Sequence, residues 1–329
     1  MVEISELDVD DDAALRSFWE VAQAAERADR SHPVLPTYER QVQMARRPSP
    51  LVRRCLLAAY DGAELAGIAD MGMSSHDNLH LAAFHVDVLP SRRRQGIGRA
   101  LHDEAVRRGH ADGRTTFVTE VCQPSADIRS PGIEFAETLG FTSAHREDHL
   151  TLDLRGYVPS DDPARAAHVG HDVLTWTDRV PDDMVEAYAR MRTQMNRDVP
   201  MGELDIEPRV VTVEEIREEE ERLGEQYETV GAVARRRDGG LDGYTLCFLP
   251  RGADYAQQDD TFVMRAARGQ GIGRALKTAV LRHLTDERPE RGLVHTWTAL
   301  DNDAMQRLNR GLGFRPVELS HEMQRRDAG

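Results

Sequence analysis

The heptapeptide Gln-Gly-Ile-Gly-Arg-Ala-Leu occurs twice in this chain, at Gln95–Leu101 and at Gln270–Leu276. The copies lie 175 residues apart (270 − 95), a little over half of the 329 residues. An identical string at a half-chain offset means that the chain holds two copies of one domain. The surroundings repeat too. Each copy follows an apolar, strand-like stretch, Leu81–Leu89 in the first and Thr261–Met264 in the second, and then a short basic segment. Each then opens a helical pattern, which in the second copy sets Leu276, Ala279, Val280 and Leu284 on one face.

Strand, Gly-rich turn and helix start form a geometry that points unpaired backbone N–H groups at an anion. Gly96, Gly98, Gly271 and Gly273 let the backbone approach a ligand without a Cβ in the way. Arg93, Arg94, Arg99, Arg268 and Arg274 are placed to add charge-assisted hydrogen bonds. Two rival phosphate loops do not fit. A Walker loop closes on Gly-Lys-Ser/Thr, and here Arg99 and Arg274 follow the last glycine. A dinucleotide fingerprint needs a third glycine where Leu101 and Leu276 stand.

What remains is Arg/Gln-x-x-Gly-x-Gly/Ala, matched by Arg93-Arg94-Gln95-Gly96-Ile97-Gly98 and by Arg268-Gly269-Gln270-Gly271-Ile272-Gly273. This resembles the acyl-CoA pyrophosphate loop of the GNAT superfamily of N-acetyltransferases. The resemblance implies acetyl-CoA as cofactor, held by these two loops with Arg99 and Arg274. It also implies backbone N–H groups along Val86–Val88 and Thr261–Val263, Phe262 included, that polarise the thioester carbonyl. A further demand is a strand and then a helix ending in Leu-Gly-Phe. Both halves comply, at Leu139-Gly140-Phe141 and Leu312-Gly313-Phe314. Asn302 stands where the family commonly contacts the pantetheine arm, and it reads equally as a helix N-cap. The first copy has Ser125-Ala126-Asp127 there instead. The tyrosine that many relatives use as general acid is replaced by Ala136 and Asn309, and neither side chain protonates a thiolate near neutral pH.

Acetyl transfer to an amine also needs a proton acceptor. In the second copy the expected bases are Asp259 and Asp260, just before the loop strand; alternation places them on opposite faces. In the first copy they are His85 and Glu120, with His85 and Asp87 on one face and Glu120 placed to meet one of them across the sheet. The second copy keeps Asn302 and the regular spacing, so it is favoured as the active domain.

The element order is strand, helices, hairpin, strand, loop, helix, strand, helix, strand in each half. That predicts an α/β (α+β) fold with a mixed sheet in two tandem GNAT-like domains. The expected boundaries are 1–156, a linker at 157–170, and 171–329. There is no run of about 18 apolar residues, no signal-peptide pattern, and no metal or disulfide spacing among Cys55, Cys122 and Cys247. These features predict a cytoplasmic protein with no metal and no membrane span. Asp and Glu total 57 against 42 Lys and Arg, a net charge of −15, which argues against a nucleic-acid partner. The expected activity is N-acetylation of a primary amine on a small molecule, by direct attack in a ternary complex. The expected state is a monomer, its tandem domains forming a pseudo-dimer, or a homodimer. Two alternatives stay open: a non-catalytic acyl-CoA-binding or sensing protein, and a protein or peptide N-acetyltransferase.

Overall fold

The structure is a computed structural model that describes residues 2–47, 49–125, 128–159 and 170–327. Most of the linker expected at 157–170 lies outside these residues, as do Ala126 and Asp127. The chain divides into two compact units that interleave in sequence. The first comprises Met1–Glu147, Met201–Glu207 and Val317–Gly329, and the second Asp148–Pro200 and Pro208–Pro316. They do not follow one another along the chain as 1–156 and 171–329.

In the first unit, β1 (Glu3–Glu6), β2 (Val52–Asp61), β3 (Glu64–Ser74), β4 (Leu81–Val88) and β5 (Thr116–Gln123) run in spatial order. The last strand of the chain, β12 (Arg315–Arg326), lies beside β5 in antiparallel register from Leu319↔Gln123 to Arg326↔Thr116. Helix α1 (Asp12–Asp29) starts where the Asp11 side chain accepts from the N–H groups of Ala13 and Ala14. Its Leu15, Phe18 and Val21 sink into a core with Leu56, Ala58 and Ile68. A second helix, α2 (Tyr38–Arg46), follows it. On the other face, Ile97, Leu101 and Ala105 of α3 (Ile97–Ala111) meet Phe84, Phe117 and Met323, with α4 (Pro131–Thr138) alongside.

The second unit repeats this plan. The end of β6 (Thr142–Asp153), β11 (Leu293–Ala299), β10 (Tyr255–Val263), β9 (Leu241–Pro250), β8 (Tyr227–Arg236) and β7 (His171–Thr177) form its sheet in that order. Helices α5 (Val185–Asp198) and α6 (Val213–Gly224) cover one face, and α7 (Ile272–Glu287) and α8 (Asp303–Gly311) the other. Thr212 and Glu215 close a reciprocal capping box at the start of α6.

Lys277 on α7 is the one lysine of the chain, and it is 1% exposed. Its Nζ donates to Asn309 Oδ1 at 2.7 Å, and Asn309 Nδ2 donates to Thr298 Oγ1 at 2.9 Å. Burial pushes its pKa down from the usual lysine range to about 7. The folded state therefore holds this proton less tightly than the unfolded chain, so stability rises with pH between about 7 and the unfolded lysine value near 10.4. Urea denaturation at pH 7 and pH 9.5 should show the wild-type protein gaining up to about 3 kcal/mol relative to Lys277→Met. Equal pH responses in the two proteins would refute this assignment.

Candidate active site

In the second unit β10 and β11 pair in parallel only over Tyr255↔Leu293, Ala256↔Val294 and Gln257↔His295, and then diverge. At the divergence β10 bulges. Gln258 faces Cys247 and Thr261 faces Thr245, so Asp259 and Asp260 together oppose Leu246. Polar side chains hold this kink. Gln258 Nε2 donates to the Leu246 carbonyl at 2.7 Å, and Thr245 Oγ1 donates to the Asp260 carbonyl at 3.0 Å.

The bulge keeps the two acids together while their partners differ. Asp260 Oδ2 accepts from the Tyr244 hydroxyl at 2.9 Å and lies 3.8 Å from Arg192 Nε. Asp259 stays exposed. Protein packed around both carboxyls raises their pKa values above the usual carboxylate range even though Asp259 keeps its contact with solvent, and the charge of Asp260 adds to the rise at Asp259. Arg192 also lines a partly open hollow with Trp176, Tyr188, Tyr227, Leu246 and Phe248. Strict alternation would put the two acids on opposite faces; the bulge overrides it and sets both against Leu246, within reach of the same Arg192 and Glu219 charges.

Beyond the bulge, the Met264 N–H donates to the Asp242 carbonyl on β9. By strand alternation the N–H groups of Thr261 and Val263 then face the open fork. Phe262 points its backbone toward β9 and its side chain into the core with Tyr188 and Tyr244. The glycine turn follows. Gly271 has φ +82° and forms the N-cap of α7, with no side chain capping the helix. A Cβ built on Gly271 would meet nothing within 4 Å, whereas one on Gly273 would meet Leu308 at 3.2 Å. Gly269 is also left-handed, at φ +80°. The exposed Gln270 completes the turn, and Ile272 anchors the helix at 1% exposure. The open space and the unpaired helix N–H groups form a cradle that suits a pyrophosphate.

Two of the loop arginines have protein partners in this structure. Arg268 donates to the Val263 carbonyl at 3.0 Å and to Asp198 at 2.6 Å. Arg274 donates to the Gly311 carbonyl at the end of α8. These two guanidinium groups brace the loop and the helix beside it. Asn302 serves as the N-cap of α8, its Oδ1 accepting from the Met305 N–H. Asn309 is fully buried in the Lys277 network.

The first unit has the same loop on a different strand. Gly96 stands at φ +84° with open space around it, Arg94 at +62° and Gln95 exposed; Ile97 is buried and Gly98 lies against Phe135. Arg93 repeats the brace, donating to the Val88 carbonyl and to Asp29. Arg99 is exposed. Because the Leu89 N–H donates to Ala66 on β3, the N–H groups of Val86 and Val88 face the fork. However, β4 pairs with β3 without a bulge, from Gly67↔Val88 to Gly72↔Ala83.

The side chains above this strand also differ from expectation. The β4–β5 pairing ends at Ala83↔Val118, so His85 meets Glu26 and Asp87 and does not reach Glu120. Asp87 and Glu26 raise the His85 pKa well above its usual value and keep the imidazole protonated, which disables it as a base at neutral pH. Glu120 accepts from the Cys122 thiol and faces Glu322 of β12 in register. Burial and the Glu120 and Glu147 charges raise Glu322 to about 7. This acid, supplied by the far end of the chain, was invisible to the sequence reading.

The acetyltransferase (GNAT) family profile matches residues 15–141 and 200–314, one stretch around each glycine loop. The chain belongs to the GNAT acetyltransferase family. The mycothiol acetyltransferase of Nocardia farcinica (strain IFM 10152) is 28% identical over 310 residues, covering 91% of this chain and 90% of that one. Among solved structures, a tandem GNAT protein from the clavulanic acid biosynthesis pathway superposes with a TM-score of 0.84 at 25% identity, over 100% of this chain and 99% of its own. A GCN5-related N-acetyltransferase from Sphaerobacter thermophilus shares the fold, with a TM-score of 0.71 at 14% identity, 99% of this chain and 95% of that one. The protein is thus a tandem GNAT N-acetyltransferase. Among the described residues, no helix is long and apolar enough to cross a membrane.

Proposed function

We propose that the second unit performs acetyl-CoA-dependent N-acetylation of a primary amine on a small molecule, by direct attack in a ternary complex. The observation that carries this reading is the bulge, which sets Asp259 and Asp260 where the fork opens, beside the Arg192-lined hollow. Gly269, Gln270, Gly271, Ile272 and Gly273 would hold the cofactor's pyrophosphate, with Asn302 near its arm. Bound acetyl-CoA supplies an activated acetyl thioester. The Thr261 and Val263 N–H groups face the region where the carbonyl oxygen gains charge. Asp259 is exposed and its basicity is raised, so it accepts the proton of the acceptor ammonium, while Asp260 and Tyr244 fix its setting. The Nocardia relative and the clavulanic acid pathway protein match both units, and their names favour a small-molecule acceptor over a protein. In the first unit, the unbulged strand and the protonated His85 support cofactor binding without transfer.

Substituting the two acids should give different signatures. Asp259→Asn should lower kcat/KM about 100-fold or more. Asp260→Asn removes a neighbouring negative charge, so the pKa of Asp259 falls and the acid limb of the pH–rate profile moves to lower pH. A profile unmoved by Asp260→Asn, together with full activity in Asp259→Asn, would exclude this pair as the base.

A further inference from the structure

We infer that Glu26, His85 and Asp87 of the first unit form a binding site for one divalent transition-metal ion such as Zn²⁺. One donor atom from each residue lies within 4.8 Å of the other two. His85 Nε2 is 3.2 Å from Glu26 Oε1 and 3.3 Å from Asp87 Oδ1. Metal–ligand bonds of about 2.0–2.2 Å place neighbouring donors about 3.0–3.5 Å apart in octahedral or tetrahedral sites, so both separations are those of a coordination edge.

Two further observations point to a cation. An imidazole Nε2 carries at most one proton, yet two carboxylate oxygens approach it at nearly equal distance. The guanidinium nearby is already divided. Arg30 donates to Glu26 Oε2 at 2.8 Å and to Glu318 Oε2 at 2.8 Å. Glu26, Asp87 and Glu318 together outnumber Arg30 three to one, so negative charge remains even with His85 protonated. A divalent ion in place of the shared proton balances it. Arg30 on Glu26 then acts as the outer-shell brace that fixes a ligating carboxylate. The remaining coordination positions would fall to water, and a mixed nitrogen and oxygen donor set favours Zn²⁺ over Mg²⁺. No sequence spacing announces the site, because Glu26 lies on α1 and His85 on β4, 59 residues apart.

The test uses the full chain, tag-free and stripped with chelator, titrated calorimetrically with ZnCl₂ and separately with MgCl₂. The expected result is one saturable Zn²⁺ equivalent in the wild-type protein that is lost in His85→Gln and weakened at least tenfold in Asp87→Asn. Mg²⁺ should bind at least a hundredfold more weakly. Zn²⁺ should raise the melting temperature of the wild-type protein and not that of His85→Gln. Both variants are first checked for a wild-type circular dichroism spectrum; if His85→Gln fails it, Asp87→Asn carries the test. Zn²⁺ binding unchanged in the folded variants, or no saturable equivalent in the wild-type protein, overturns the assignment.

Discussion

Gly271→Trp should abolish acetyl transfer, with a loss of at least a hundredfold, while leaving the protein folded. The glycine has φ +82°, so a side chain there costs about 1–2 kcal/mol of backbone strain. That is a small part of the 5–15 kcal/mol typical of a domain. No protein atom lies within 4 Å of a Cβ built there, so the first atom of the new side chain meets open space. The indole would fill the cradle in front of the uncapped α7 N-terminus, where a pyrophosphate gains its backbone hydrogen bonds. Gly96→Trp is the matched control: same φ, same open space, same uncapped helix start, in the unit proposed not to transfer. Titration with acetyl-CoA should show each substitution removing one equivalent, and steady-state assays should show turnover lost only with Gly271→Trp. Turnover lost with Gly96→Trp and kept with Gly271→Trp would move the active site to the first unit.

The features legible in the sequence were those written locally. The doubled heptapeptide gave the two glycine loops, and both first glycines adopt the left-handed backbone that the motif demands. Asp-Gly is itself a local turn signal, and β2 and β3 meet at Asp61-Gly62 with Gly62 at φ +66°. Helix α6 is equally local, its start written in the Thr212 and Glu215 capping box. Features that depend on partners distant in sequence stayed hidden. The sequence starts the loop strand at Thr261, with Asp259 and Asp260 just ahead of it, whereas β10 begins at Tyr255, and only its pairing with β9 exposes two residues set against one. His85 was read with Asp87, but its other partner lies on α1, and Glu120 turned instead toward a glutamate some two hundred residues on. Strand β12 shows how register and neighbour escape local reading. Its alternation of Leu319, His321 and Met323 fits any half-buried edge, and nothing in it says which sheet it joins.

That strand carries the second large effect. A chain ending at Pro316 should lose the fold of the first unit. Residues Val317–Gly329 belong to this unit although they end the chain. Met323 is fully buried in its core beside Phe117, and Leu319 is 5% exposed. Burying two such side chains is worth about 3–6 kcal/mol. Glu318 accepts from Arg30 and from the His32 N–H, Gln324 Oε1 accepts from the Asp205 N–H, and Arg325 donates to the Leu139 carbonyl. Removing the strand would take these partners away and bare the edge of β5 along the eight residues it now pairs. The sum rivals the whole stability of a domain. Hydrogen exchange on the truncated protein should show β2 to β5 losing protection while β8 to β10 keep it. Protection in β2 to β5 equal to that of the full chain would mean that the unit stands without its last strand. The same logic bears on dissection: a fragment 1–156 lacks β12, so failure of that fragment to fold would say nothing about whether its glycine loop binds acetyl-CoA. The point substitutions in the intact chain, and not isolated halves, are therefore what separates the roles of the two loops.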